Sequence, residues 1–255
     1  MHDQRDQPAF HVTTNVDPSS TVIAGFSQFG LAGLTAVDYL VNQLDLEATG
    51  YIRAEGLPTI TPFANGEPRY PTRLFSRPDL DVTVLVGELF VPNSLAEPFS
   101  RSVLEWTETA GVQEVTVLSG VPFAHGPDEH RAFYVASEDY RHRHADRLDT
   151  TDADGAAVLP PMGTGFLDGT NGALMTRAME SSLGVGVFLT PVHARVPDAE
   201  ASVRLVDAVE HVYGLGVDTD PLEAFAEEVG EYYRTLADRL EEEAEEEQPA
   251  DRMYM

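Results

Sequence analysis

Apolar residues along the chain follow two patterns that alternate from residue 21 onward. Short runs rich in Val, Ile and Leu are typical of strands buried on both faces; they lie at residues 21–24, 46–52, 80–87, 115–118, 132–136 and 185–190. Apolar positions at helical spacing predict helices over residues 31–44, 95–110, 173–183, 198–213 and 221–247. The alternation predicts an α/β fold, a three-layer sandwich with a mostly parallel central sheet and helices on both faces.

The regions at the two ends of this alternation set the predicted domain boundaries. Residues 1–20 are polar and end in an Asp-Pro-Ser-Ser sequence, which predicts a flexible N-terminal lead-in. Residues 248–255 follow the last predicted helix and are expected to form a flexible C-terminal tail. Between them the sequence shows neither an internal repeat nor a linker, so we expect residues 21–247 to form a single α/β domain.

Two segments inside the predicted domain depart from the alternation. Residues 58–78 contain five prolines, too many for a helix, and an Asn65-Gly66 pair that favours a tight turn. We therefore expect a hairpin or an extended arm there. Residues 138–157 are highly charged, which predicts a surface segment.

Composition narrows the class of protein further. Apolar residues make up 42% of the 255 residues, enough for a sizeable core. Neither a membrane-length apolar run nor the apolar segment of a signal peptide is present, so we expect a cytoplasmic protein that does not bind membranes. Because the chain has no cysteine, disulfides, thiolate nucleophiles and cysteine-ligated metals are excluded.

The charge balance is extreme and has two interpretations. The chain carries 43 acidic against 16 basic residues, a net charge of −27, and every basic residue is arginine. Molar salt shortens the Debye length to about 3 Å and screens such self-repulsion, so the composition indicates a halophilic protein. The alternative is an acidic surface that binds a basic partner. Nucleic acid is not an expected partner, since the sequence has no basic patch to neutralise phosphates.

Two glycine-rich loops could form a pocket. Gly25 and Gly30 have the spacing of a phosphate-binding loop after a strand, but Leu31 and Ala32 replace the Lys-Ser/Thr pair, which excludes a Walker loop. The helix start could still bind an anion, or the glycines could simply allow a tight turn. Since both loops follow sheet strands, Gly25, Phe26 and Gly30 could line a pocket with Asp168 and Asn171 of the second loop; the alternative is that the latter two only form the turn.

The candidates for catalytic or metal-binding residues lack the sequence patterns that such sites need. Ser27 lacks the second glycine of a nucleophile elbow, because Phe29 stands there. His142 and His144 lie near several aspartates, but residues two apart do not share a helix face and arginines surround them. We therefore predict no metal, no cofactor and no enzyme activity.

The order of the motifs resembles the archaeal members of the proteasome assembly chaperone family over about residues 22–231. The motifs are Gly-Phe-Ser-Gln-Phe-Gly-Leu-Ala-Gly at residues 25–33, Leu-Pro at 57–58, Asn-Gly at 65–66, Leu-Val-Gly-Glu at 85–88, Gly-Phe-Leu-Asp-Gly-Thr-Asn-Gly at 165–172 and Tyr-Gly-Leu at 213–215. The resemblance implies a three-layer α/β fold, homo-oligomers and a role in assembling or activating the core proteasome. Catalysis is not an established role of that family.

The last three residues, Met253, Tyr254 and Met255, form a hydrophobic-Tyr-X tail of the kind that proteasome activators carry. A flexible tail could enter a pocket between subunits of the ring, where its carboxylate could pair with a basic group and its tyrosine could add apolar area and a hydrogen bond. The alternative is three accidental residues. We expect the tail to dock onto the core proteasome α-subunits.

Two functional hypotheses follow from the sequence. The first is a homo-oligomeric proteasome assembly chaperone or activator that docks through residues 253–255. The alternative is a small-molecule enzyme, nucleoside phosphorylase-like or ligase-type, with its site in the glycine-rich loops.

Overall fold

One eight-stranded sheet runs through the middle of the computed structural model, which describes residues 10–228 except 56, 58–59, 123–129 and 194–196. A separate two-stranded sheet consists of β4 (Phe63–Ala64) and β5 (Glu67–Pro68). The strands of the large sheet are β1 (Phe10–Thr14), β2 (Thr21–Phe26), β3 (Glu47–Ala54), β6 (Thr72–Ser76), β7 (Thr83–Gly87), β8 (Glu114–Val121), β9 (Phe133–Ala136) and β10 (Gly184–Pro191). Their order is β1-β3-β6-β7-β2-β8-β10-β9.

The centre of the large sheet is parallel. Strand β2 pairs in parallel with β7 on one side and with β8 on the other, and β8 pairs in parallel with β10. The outer pairs are antiparallel, so β3 runs in the same direction as these four strands, while β1, β6 and β9 run in the opposite direction. With five of eight strands in one direction, the prediction of a mostly parallel sheet is confirmed.

Helices cover both faces of the sheet, as predicted. The helices are α1 (Ala32–Gln43), α2 (Ala96–Ala110), α3 (Glu138–Arg143), α4 (Ala145–Leu148), α5 (Gly169–Ala178) and α6 (Ala199–Tyr213), and residues 220–228 are also helical. One face packs against α1 and α6 and contributes Ile23 and Phe188 to its core. The other packs against α2 and α5 with Phe99 and Leu174. The three-layer sandwich is therefore confirmed.

Most predicted helices have the expected ends because the sequence carries the signals that end them. Gly111 and Gly214 adopt left-handed φ values of 74° and 61° directly after α2 and α6, the usual helix-terminating role of glycine. The Asp198 side chain accepts a hydrogen bond from the Ala201 N–H and caps α6. Helix α5 differs, since it begins at Gly169 inside the predicted glycine-rich turn.

The structure corrects the prediction for the N-terminal segment. Phe10–Thr14 forms the edge strand β1 and pairs with β3 from Phe10↔Ala54 to Thr14↔Gly50. The flexible lead-in predicted over residues 1–20 is therefore wrong for this stretch, because the buried Phe10 side chain anchors it to the core. Residues 1–9 lie outside the described residues.

The proline-rich segment contains both a hairpin and a buried strand. Asn65 and Gly66 have φ values of 52° and 83° and connect β4 to β5, the turn chemistry that an Asn-Gly pair predicts. The predicted hairpin is thus confirmed. However, β6 lies in the same segment and is fully buried between β3 and β7, so this part is not an arm.

The segment at residues 138–157 is not entirely on the surface. Tyr140 in α3 is completely buried and Leu148 in α4 is almost so, and both belong to the core beneath α1 and α6. The prediction of a surface segment was wrong for these two residues because their apolar contacts come from distant parts of the chain.

The β9 edge of the sheet is covered. The Tyr134 N–H donates to the Pro160 carbonyl over 3.0 Å, and the Met162 N–H donates to the Tyr134 carbonyl over 2.8 Å. Pro161 bridges to Tyr134 between these two bonds and has no N–H of its own. Residues 160–162 therefore occupy both outward-facing backbone groups of Tyr134, in the middle of the edge strand.

Within the described residues, no helix has both the length and the hydrophobicity that a membrane span requires. The predicted end of the last helix, near residue 247, and the predicted tail at 248–255 lie outside the described residues.

Two glycines bring α1 into direct contact with the sheet. A Cβ added at Gly25 in β2 would overlap the Gly33 carbonyl oxygen, and one added at Gly33 would overlap the Leu118 carbonyl oxygen of β8. Helix and strands thus touch through their backbones. This close approach gives Gly25 and Gly33 a packing role that neither interpretation of the sequence included, while the positive φ of 64° at Gly30 agrees with the tight turn.

Replacing Gly33 with alanine is expected to lower the free energy of unfolding by about 1–3 kcal/mol, because the added methyl group overlaps a backbone atom that cannot rotate away. Denaturant unfolding at molar salt measures the change. Gly163→Ala is the matched control, since a Cβ there meets nothing within 4 Å. Equal stability of the two variants would contradict the contact.

Candidate functional site

A cleft of about 890 Å³ opens at the carboxyl ends of the central strands. It lies beside the loops that follow β2, β7, β8 and the segment leading into α5. After β2 the next strand along the chain is β3, on one side of the β2–β8 pair. After β8 the next strand is β9, on the other side, so the two loops diverge at this point. Divergence of adjacent loops leaves a crevice, the usual ligand position in open α/β sheets.

The loop after β2 forms one wall of the cleft and is tightly folded. The Gln28 N–H donates to the Phe26 carbonyl, and Gly30 and Leu31 follow with positive φ values of 64° and 50°. The Asp198 N–H donates to the Gly30 carbonyl over 2.8 Å and ties this loop to the start of α6. The fixed loop holds the Gln28 side chain toward β8.

Three polar side chains form the floor of the cleft. The Ser119 hydroxyl, at the carboxyl end of β8, donates to Gln28 Oε1 over 2.7 Å. Asn171 Nδ2, in the first turn of α5, donates to Ser119 Oγ over 2.9 Å and lies 3.4 Å from Gln28 Oε1. Ser119 is 2% exposed and Asn171 6%, yet Asn171 Oδ1 has no hydrogen-bond partner among the described residues. We call these three residues the amide floor.

The walls and mouth of the cleft are largely apolar. Phe29, Phe90 and Phe166 line it and are exposed, Phe166 completely. Among the described lining residues, Asp168 is the only one with an ionisable side chain. The lining supports binding of an apolar or uncharged group better than acid–base chemistry.

The structure brings four of the five predicted pocket residues to this cleft. Phe26, Gly30, Asp168 and Asn171 line it, whereas Gly25 lies beneath them against α1. Asp168 precedes α5, and Asn93 Nδ2 lies 3.5 Å from its Oδ2.

Sequence reasoning missed Gln28, Ser119 and Phe90. Ser119 carries a usable signal, because a polar residue that directly follows a buried parallel strand lies at the ligand-binding edge of the sheet. Gln28 and Phe90 lie in loops, and the sequence does not indicate that these loops turn toward the cleft.

A second polar cluster lies at the opposite, amino ends of β2 and β8. The Glu114 side chain is 4% exposed and accepts a hydrogen bond from Arg143 Nη1 over 3.0 Å. His144 Nε2 lies 2.9 Å from Glu114 Oε2, and the Thr21 hydroxyl donates to Oε1 over 3.2 Å. We call this set the Glu114 cluster. His144 is one of the two histidines that the sequence offers as metal ligands, and in the structure it contacts the Glu114 carboxylate. The described residues contain no group of three or more His, Cys, Asp or Glu that could hold a metal.

Burial and pairing act in opposite directions on the Glu114 cluster. Burial alone would raise the pKa of Glu114, but hydrogen bonding and charge attraction from His144, together with Arg143, hold that pKa below its ordinary value. Burial raises the pKa of Tyr140 and Tyr213, whose hydroxyls both hydrogen-bond Thr116 nearby. The cluster is a structural ion pair with its surrounding phenols protonated.

Residues 253–255, the predicted docking tail, lie outside the described residues.

Comparison with solved structures shows a widely shared fold. PbaA of Pyrococcus furiosus, an archaeal homologue of proteasome-assembly chaperone, superposes with a TM-score of 0.79 at 20% identity, covering 97% of this chain and all of that one. PbaB of the same organism, an archaeal proteasome activator, gives 0.73 at 19% identity, with 90% and 99% covered. A proteasome-assembly chaperone homologue of Mycobacterium tuberculosis gives 0.58 at 20% identity, with 91% and 96% covered.

Sequence comparison identifies the family. No curated protein matches the chain. The family model of PAC2, in contrast, matches residues 22–237, which include β2 to β10, both glycine-rich loops and the six helices named above. The chain belongs to the PAC2 family.

Proposed function

We propose that this protein is a homo-oligomeric assembly chaperone or activator of the core proteasome. The observation that carries the proposal is the family match over residues 22–237, together with the fold shared with PbaA and PbaB. Those two proteins are a proteasome-assembly chaperone homologue and a proteasome activator, and their likeness extends over nearly the whole of this chain.

The finer part of the proposal concerns how the protein holds the ring. Met253 and Tyr254 offer apolar area and a phenolic hydroxyl, and a free Met255 carboxylate offers a charge for a basic group between two α-subunits. Ordering a tail costs entropy, so one tail binds weakly. Several tails on one oligomer raise the avidity by roughly 10²–10⁴ where the spacing fits, which is why the proposal includes a homo-oligomer.

The high negative charge favours a tail over a flat contact surface. Six of residues 241–247 are glutamates, and the whole chain carries −27. A tail allows the acidic body to stand off from the ring while three residues make the specific contacts. The apolar contacts of Met253 and Tyr254 do not depend on charge, so binding should persist at molar salt, where charges are screened.

The test is co-sedimentation with the core proteasome of the same organism at molar salt, comparing the whole chain with a form that ends at Arg252. We expect binding by the whole chain and loss of at least tenfold in affinity on removal of residues 253–255. Sedimentation equilibrium of the free protein checks for a homo-oligomer.

Two further variants separate the contributions within the tail. Tyr254→Ala should weaken binding, whereas Tyr70→Ala, which changes an exposed tyrosine of the folded domain, should not. A single glycine added after Met255 moves the carboxylate and should weaken binding as well. Equal binding by all forms would contradict tail docking but keep a proteasome partner; absence of binding by the whole chain would contradict the proposed function itself.

A further inference from the structure

We infer that the cleft at the carboxyl ends of β2 and β8 binds an uncharged small molecule that presents an amide-like edge beside an apolar or aromatic ring. This site is separate from the proposed tail contact and does not depend on it. Its position, its amide floor and its uncharged walls each support the inference, and each is an independent property of the described residues.

The position is a crevice between diverging loops. Strands β2 and β8 pair from Thr21↔Glu114 to Gly25↔Leu118, so Phe26 and Ser119 lie side by side near the carboxyl ends of the two strands. The volume of about 890 Å³ is within the usual range for sites that hold small organic molecules.

One polar atom of the amide floor, Asn171 Oδ1, accepts no hydrogen bond from the described residues. Asn171 Nδ2 donates to Ser119 and faces Gln28, whereas the buried Asn171 Oδ1 has no partner in the part of the chain that the structure describes. A buried polar group without a partner is costly, and the N–H of a ligand amide that reaches Asn171 Oδ1 supplies the missing donor.

The charges around the cleft disfavour ions. The described lining contains no basic residue to pair with an anion, and the Asp168 carboxylate repels one at close range. A cation would have to leave water for walls formed largely by apolar residues, among them Phe26, Leu89 and Val91. Among the described lining residues, only the exposed Asp168 offers it a counter-charge. An uncharged ring against Phe29, Phe90 or Phe166 meets neither penalty.

Three probes of one shape test the class directly: benzamide, benzoate and benzamidine, which are neutral, anionic and cationic. Titration calorimetry at molar salt with the whole chain should show benzamide binding with a Kd of roughly 1 mM and the two ions at least tenfold weaker. Asn171→Leu removes the unpartnered Oδ1 and should lower the affinity for benzamide at least tenfold.

Two double variants at exposed positions test the same site without changing a buried residue, so the test does not depend on the folding of Asn171→Leu. The double variant Phe90→Ala with Phe166→Ala lies at the cleft mouth, and the matched control, Phe63→Ala with Phe225→Ala, removes two exposed phenylalanines elsewhere. Only the first should weaken benzamide. Equal binding of the three probes would overturn the ligand class. Absence of benzamide binding at 10 mM, roughly ten times the expected Kd, or equal binding by both double variants, would overturn the site. None of these outcomes alters the proteasome test, because proteasome binding is measured without the probes.

Discussion

Replacing Glu114 with glutamine is expected to lower the free energy of unfolding by about 3 kcal/mol, the low end of the range for breaking a buried pair because Arg143 is partly exposed. Glutamine keeps the shape of the side chain but leaves Arg143 and His144 facing a neutral group within the protein. Denaturant unfolding at molar salt measures the change, and circular dichroism checks the fold. Glu105→Gln, at an exposed position of α2, is the control and should change stability by less than about 0.5 kcal/mol.

The same variant gives a dependence on pH. Because the folded-state pKa of Glu114 lies below its unfolded value of about 4.3, its stabilisation is complete above that value and is lost as pH falls through the folded pKa. In that acidic range the wild-type side chain becomes protonated and resembles glutamine. The stability difference between wild type and Glu114→Gln should therefore narrow below about pH 4.3, and a difference that stays constant down to acid unfolding would contradict the ion pair.

Replacing Phe99 with alanine is expected to lower the free energy of unfolding by about 3–5 kcal/mol, since it leaves a cavity in the core on the α2 side of the sheet. Phe99 is 1% exposed, and its ring meets those of Phe10 and Phe26 edge to face at centroid distances of 5.1 and 5.5 Å. Unfolding by denaturant measures the loss. Hydrogen exchange should also show faster exchange of the β1 amides, because Phe10 loses the ring that anchors that strand.

The control for this variant is Phe63→Ala. Phe63 lies in the β4–β5 hairpin and is 75% exposed, so its loss should change stability by less than about 0.5 kcal/mol. A small effect of Phe99→Ala, comparable with that of Phe63→Ala, would contradict the packing described for the N-terminal strand.

The central strands could be predicted from the sequence because they are buried on both faces. Strands β2, β7 and β10 have no exposed residue, and their apolar side chains form runs that need no partner to be recognised. Strand β1 could not be found in this way, since only Phe10 is buried and the strand pairs with residues about forty positions away. Strand β6 is short and lies between prolines, which obscure its pattern.

The candidate site was predictable in place but not in chemistry. The order of strands and glycine-rich loops puts Phe26, Gly30 and Asn171 at one edge of a parallel sheet. The amide floor, however, consists of bonds between residues 91, 52 and 143 positions apart, which no local pattern contains. Gly25, in contrast, is a predicted pocket residue that does not line the cleft. It allows the close contact with Gly33 instead.

The covered edge at β9 bears on aggregation. At molar salt the charge of −27 is screened, so repulsion between copies no longer keeps exposed strands apart. Residues 160–162 leave β9 few backbone groups for a strand of another copy, and Pro161 cannot continue a ladder. Unwanted strand addition is thus restricted at this edge by geometry, a protection that salt does not remove.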